Sequence, residues 1–103
     1  MADPMKIRAN VVGDSTEVKV LMNHEMETGQ RKDAQGKVIP AWFIQNMTAT
    51  YNGKTVLSAQ WGPAISKNPF LAFKFKGGVK GEKVQITWTD NRGDKRTDEA
   101  TIA

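Results

Sequence analysis

The chain contains no cysteine among its 103 residues and only one histidine. The first absence excludes disulfides, thiolate nucleophiles, Cys-ligated zinc and iron–sulfur clusters. It says little about compartment, because a thiol-free chain folds in either redox setting. A lone histidine leaves no room for a multi-histidine metal site within one chain, so neither a metal nor any other cofactor is expected. No apolar run approaches the roughly 18 residues of a membrane span. The opening Met1-Ala2-Asp3-Pro4-Met5-Lys6 has no apolar core of the kind a secretory signal needs. Nor does any segment repeat apolar residues at the 3.6 spacing of a long amphipathic helix.

What remains is ordinary globular material, 39% hydrophobic and 25% charged, at the size of a single domain spanning residues 1–103. Its periodicity is two. Val18, Val20 and Met22 alternate with Glu17 and Lys19 over Thr16–Met22. Leu71, Phe73 and Phe75 alternate with Ala72, Lys74 and Lys76, and Val84, Ile86 and Trp88 with Gln85, Thr87 and Thr89. A longer run, Trp42–Tyr51, ends at Asn52-Gly53, the sequence of a two-residue type I′ hairpin turn, so Lys54–Trp61 is the returning strand. Weaker strands are predicted over Lys6–Val11 and Arg96–Ile102, with Asn91-Arg92-Gly93-Asp94 as the last turn. About seven short strands separated by turn signals predict an all-β, immunoglobulin-like sandwich. Two loops interrupt the spacing, Asn23–Pro40 and Gly62–Pro69, and loops of the first one's length are commonly contact surfaces.

Several local motifs dissolve on inspection. Gly53-Lys54-Thr55 ends like a phosphate-binding loop, but Thr48 stands where that motif needs glycine, and a strand follows where it needs a helix. Arg92-Gly93-Asp94 is accounted for by turn chemistry. Asn46-Met47-Thr48 fits a glycosylation sequon but lies within a predicted strand. His24 has serines to pair with, yet no nucleophile elbow surrounds any of them, and a structural hydrogen bond is the expected use of its ring. Trp88 reads as core, whereas Trp42 and Trp61 stand at strand ends, where core and interface are equally served.

The net charge of +4 is concentrated. Residues 67–83 hold Lys67, Lys74, Lys76, Lys80 and Lys83 against Glu82 alone, an excess equal to that of the whole chain. Such a surface attracts anions or acidic partners. Without arginine and without interleaved exposed aromatics it is a poor nucleic-acid reader, so no nucleic-acid partner is expected.

The loop string His24-Glu25-Met26-Glu27-Thr28-Gly29-Gln30-Arg31-Lys32-Asp33, followed by Gly36, Ile39-Pro40 and Phe43-Ile44, closely resembles the SoxZ family of thiosulfate-oxidising Sox systems. Downstream, Ser66-Lys67-Asn68-Pro69-Phe70 resembles that family's Ser-x-Asn-Pro-aromatic segment. The resemblance implies a non-catalytic, immunoglobulin-like subunit that forms a heterodimer with SoxY, whose C-terminal cysteine arm carries sulfur intermediates. It further implies transient docking to Sox enzymes and a periplasmic location reached by co-export with folded SoxY. His24, Met26, Arg31 and Trp42 are the residues expected to contribute to the partner-facing surface, Met26 through an adaptable thioether. For Arg31 the competing expectation is an ion pair with Asp33. The lysines of 67–83 are expected to steer encounters with anionic cargo or acidic enzymes. Two rivals stand beside this reading. One is an unrelated periplasmic immunoglobulin-like protein-binding module. The other is a sandwich metalloenzyme such as a superoxide reductase, whose iron needs several histidines and a cysteine.

Overall fold

A computed structural model describes residues 4–103; Met1–Asp3, part of the start read above for an export signal, lie outside it. Seven strands follow in order: β1 (Lys6–Val12), β2 (Ser15–Leu21), β3 (Ile44–Tyr51), β4 (Lys54–Gln60), β5 (Phe70–Lys76), β6 (Lys83–Asp90) and β7 (Lys95–Thr101). They form a three-stranded sheet, β1-β2-β5, facing a four-stranded sheet, β4-β3-β6-β7, with every ladder antiparallel. This is the immunoglobulin-like sandwich that the alternation predicts.

The alternation works because one face of each sheet meets the other. Val18 and Val20 of β2, Met47 and Ala49 of β3, and Val84, Ile86 and Trp88 of β6 are fully or almost fully buried between the sheets. The hairpin at Asn52-Gly53 has positive φ at both residues, 50° and 76°, as a type I′ turn requires. In β3 the parity is not continuous. Against β6, a register shift between Ile44 and Asn46 inserts Gln45 as an extra residue; against β4, the shift at Ala49/Thr50 leaves the extra residue, Val56, in β4. The first shift lets Ile44 turn inward and become fully buried although it lies out of step with Met47 and Ala49. Regular pairing starts at Ile44 rather than at Trp42, whose backbone is bonded to Glu27 instead.

The sandwich is asymmetric at its two borders. Along one, β1 meets the end of β7: Val11 donates to the carbonyl of Ala103 at 3.0 Å, Ala103 donates to Ala9 at 2.8 Å, and Ala9 and Ile102 form a parallel bridge. Along the other, β4 and β5 are edge strands that do not pair with each other. Half-buried Val56, Leu57, Trp61, Leu71 and Phe73 pack against the core, drawn from these two strands and the start of the loop after β4.

The turn between β5 and β6 depends on glycine. Gly78 has a φ of +95° and lies so close to Thr16 that a Cβ there would stand 2.0 Å from its Oγ1. Thr16 is fully buried, and its hydroxyl donates to the carbonyl of Gly77 at 2.7 Å.

Candidate functional site

The long connection between β2 and β3 folds back on itself as an irregular finger. Glu27 and Trp42 exchange backbone hydrogen bonds at 2.6 and 3.0 Å, and Ile39 donates to Arg31 at 2.7 Å. The tip is the predicted Asp33–Gly36 turn, closed by Gly36 donating to the Asp33 carbonyl at 3.1 Å. The Asp33 carboxylate accepts the N–H of Gln35 and of Lys37 at 2.8 and 3.0 Å, an Asx arrangement that fixes the turn.

At the base of the finger the two loops singled out from the sequence meet. Asn68 accepts the His24 N–H on its side-chain oxygen at 3.1 Å and donates its own N–H to the His24 carbonyl at 2.9 Å. Asn68 has a φ of 51°, a left-handed conformation that asparagine tolerates better than most side chains. His24 is thereby held with its ring inside the protein, its side chain 2% exposed. Its Nε2 lies 3.0 Å from Asp90 Oδ2, and its Nδ1 accepts the Met26 N–H at 3.1 Å. An Nδ1 that accepts assigns the proton to Nε2, which donates to the carboxylate. The ring is flanked edge-on by Trp42 and Trp88, each with its centroid 5.1 Å away.

Asp90, at the end of β6, ties the cluster together. Its Oδ2 also accepts the indole N–H of Trp42 at 2.8 Å, and its Oδ1 accepts the backbone N–H of Arg92 and Asp94 at 3.0 and 2.8 Å. Burial pushes this carboxyl up. The donors from His24, Trp42, Asp94 and Arg92 together outweigh burial and hold it below the ordinary aspartate value. Outside Trp42, the Arg92 guanidinium sits 4.4 Å from the ring centroid, a cation–π contact at the surface. The neighbouring Asn91 fastens the strand after the finger, accepting from the Phe43 N–H at 2.9 Å and donating to the Ala41 carbonyl at 2.8 Å.

The four residues expected to face a partner therefore divide. His24 and Met26 are interior. Met26 has a φ of 52°, and its thioether sulfur accepts the Ile44 N–H at 3.3 Å, so it anchors the finger to β3. Trp42 is half-buried and Arg31 has 66% of its side chain exposed; these two offer surface. Arg31 does not pair with Asp33, whose carboxylate is used by the turn. It binds Glu27 one helical-type spacing away, at 2.5 and 3.2 Å. The Arg31 hydrogen bonds hold the Glu27 carboxyl below its usual value, and Glu27 in turn raises Arg31. Asp90 and Asn68 carry the arrangement, and the sequence pattern did not single out Asp90. Its only local signal is an aspartate opening a turn; the histidine it binds lies 66 residues earlier.

Chemically, the cluster positions backbone and ring surfaces. Both nitrogens of His24 are engaged within the chain, so the imidazole has no lone pair left for activating a nucleophile. Among the described residues no three histidine, cysteine, aspartate or glutamate side chains group as metal ligands.

The lysines of 67–83 are dispersed by the fold. Lys67 pairs with Glu25 at 3.3 Å and Lys83 with Glu99 at 3.0 Å on the four-stranded sheet, while Lys74 and Lys76 stand on the outer face of the three-stranded sheet.

Residues 5–101 match the family described as Sulphur oxidation protein SoxZ, nearly the full chain. No curated protein sequence gives a significant match. Among solved structures, the chain is similar to a superoxide reductase in the oxidized state, with a TM-score of 0.62 and 15% identity over 99% of this chain and 89% of that one. It is also similar to the E12V superoxide reductase (neelaredoxin) from Archaeoglobus fulgidus in the reduced form, with a TM-score of 0.55 and 18% identity over 97% and 86%. At such identities the likeness is one of fold.

Proposed function

The chain belongs to the SoxZ family of sulfur-oxidation proteins, and from that premise we propose that it is the non-catalytic subunit of a SoxY–SoxZ carrier complex. In this reading it grips SoxY, which bears sulfur intermediates on a C-terminal cysteine arm, and presents that arm to Sox enzymes in the periplasm. Export takes place together with folded SoxY.

The observation that carries the reading is the family match over residues 5–101. The chemistry of the chain supports it. A chain with no cysteine has no thiol on which to hold a sulfur intermediate, so the carrier thiol belongs to a companion. A mobile arm that must visit several enzymes needs a rigid base. The finger is bound to β3, to the β6–β7 turn and to the 62–69 loop by the hydrogen bonds of His24, Met26, Asp90, Asn91 and Asn68. It is thus irregular in shape and fixed in position, and it displays Arg31 and Trp42, with Arg92 of the β6–β7 turn lying against the Trp42 ring. A permanent pairing with SoxY would bury about 2,000 Å² or more.

Co-expression with the SoxY-type chain of the same host tests this. The expected product is a one-to-one complex on gel filtration with mass spectrometry, carrying sulfur adducts on the companion's cysteine, and no thiosulfate consumption by the isolated chain. A chain that stays unpaired beside SoxY, or oxidises thiosulfate alone, overturns the reading.

A further inference from the structure

The outer face of the three-stranded sheet carries a charge pattern invisible along the sequence. Because Val18 and Val20 point into the core, Glu17, Lys19 and Leu21 of β2 point away from it. Register then fixes their neighbours. Leu21 stands between Lys6 and Phe70, Lys19 between Arg8 and Ala72, and Glu17 between Asn10 and Lys74. The three strands hold five basic residues and one acidic residue. That one carboxylate, Glu17, is shared by Lys19 at 3.5 Å and Lys74 at 4.0 Å. Lys6, Arg8 and Lys76 have no carboxylate within ion-pair distance among the described residues. At one end of this face Phe70 is 63% and Leu21 41% exposed, side by side in a shallow hollow rimmed by Lys6, Arg8 and Lys19.

We propose that this face is the surface through which the carrier complex meets a second protein transiently, one whose own contact patch is acidic around an apolar centre. The proposal rests on the carrier-subunit reading above and adds where docking happens. An apolar pair rimmed by cations, two of them, Lys6 and Arg8, without a carboxylate partner among the described residues, matches the anatomy of a protein interface, with a small desolvated centre and a charged rim. The excess positive charge attracts an acidic partner from a distance and raises its encounter rate. The same charge disfavours a permanent interface, where several ammonium groups would lose water without individual partners. A nucleic-acid strand is disfavoured because only one of the five cations is arginine, and Phe70 is the face's one exposed aromatic.

The test uses the chain assembled with its SoxY-type companion and immobilised. Each purified Sox enzyme of the host is passed over it at about 20 mM and about 300 mM salt, spanning strong to weak screening. Three variants are compared: Lys6→Gln/Arg8→Gln/Lys19→Gln; Phe70→Ser; and Lys54→Gln/Lys83→Gln/Lys95→Gln, which removes equal charge from the opposite sheet. The expected result is at least one enzyme whose association with the first variant is about tenfold slower at low salt, with the gap closing at high salt. Phe70→Ser is expected to dissociate faster, and the opposite-sheet variant to behave as wild type. Unchanged rates for every enzyme overturn the proposal, as does equal slowing by the opposite-sheet variant. Loss of pairing between the first variant and the companion also overturns it, by making the face a permanent interface. A single-stranded RNA 20-mer whose binding alone responds to the first variant would assign the face to nucleic acid instead. Failure of the wild-type chain to pair with its companion is a separate result and defeats the carrier reading itself.

Discussion

His24 and Asp90, 66 residues apart in sequence, are joined in the interior by a 3.0 Å hydrogen bond from Nε2–H to carboxylate. That bond connects the loop after β2 to the end of β6 and is one of those that fix the finger. Removing the carboxylate strands the Nε2–H of His24, the indole N–H of Trp42 and two backbone N–H groups. Each buried donor left unmet costs about 1–3 kcal/mol, with incomplete additivity. Asp90→Ala is therefore expected to lower unfolding free energy by about 3 kcal/mol or more, and Asp90→Asn by less, measured by urea denaturation with tryptophan fluorescence. An Asp90→Ala protein as stable as wild type would remove the cluster from the account of the fold.

Acid is expected to act through the same carboxylate. Asp90, Asp98, Glu27, Glu82 and Glu99 are all held below their ordinary values, Asp98 chiefly by the Arg96 hydrogen bond and Glu82 by Tyr51. A depressed carboxyl adds stability that is complete above the unfolded value, about 4, and that is lost as pH falls through the folded value. The part of the urea midpoint that these carboxylates supply is expected to be constant down to about pH 5 and to be lost steeply below 4. In Asp90→Asn the fall should be shallower. Tyr51 works in the opposite direction, its phenol raised by its hydrogen bond to Glu82, so its contribution is present at neutrality and lost as pH rises through the folded value.

Gly78→Ala is expected to be among the most damaging single-methyl changes in the chain. The new Cβ meets Thr16 Oγ1 at 2.0 Å, at a φ of +95° that L side chains rarely adopt. Thr16 is buried and cannot retreat, so a loss of about 2 kcal/mol or more is expected. Gly13→Ala is the control. It has positive φ but open space around it, and about 1 kcal/mol is the expected loss. Thermal melts of the two variants check the difference.

Arg31→Ala tests recognition and folding together. Arg31 is exposed but the Glu27 carboxylate it binds is buried, so the variant leaves that carboxylate without its partner and the melting temperature should fall. If the finger faces SoxY, affinity for that companion should drop about tenfold by titration calorimetry, a size ordinary for an exposed interface arginine. Trp42→Phe is the complementary probe. It keeps an aromatic ring near His24 and Arg92 but loses the donor to Asp90, so both stability and affinity should decline.

Strands were easy to read because their signal is local. A residue's parity, as in Val84-Gln85-Ile86-Thr87-Trp88, states which face it occupies, and Asn52-Gly53 names its own turn. The inward turn of Ile44 was not readable, since a bulge is a property of two paired strands rather than of one. Asp90 escapes for a similar reason: its value lies in four donors, two of them side chains brought in by the distant β2–β3 connection. Charge is less legible. Lys67, Lys74 and Lys83, close in sequence, stand on different surfaces because of strand parity and a sheet crossing, while Lys6 and Arg8 of β1 and Lys19 of β2 share an outer face with Lys74 of β5. Charge density along a chain predicts charge density on a face only when the chain stays on that face.

The unequal borders of the sandwich set where the molecule breathes. The β1–β7 side is stitched by reciprocal backbone bonds and the β4–β5 side is not, so the sheets are expected to part from the β4–β5 side. Amide protons in β4 and β5 should exchange with deuterated solvent well before those of β2, β3 and β6. A protein that closed over that gap would slow this exchange without touching the β1–β7 side.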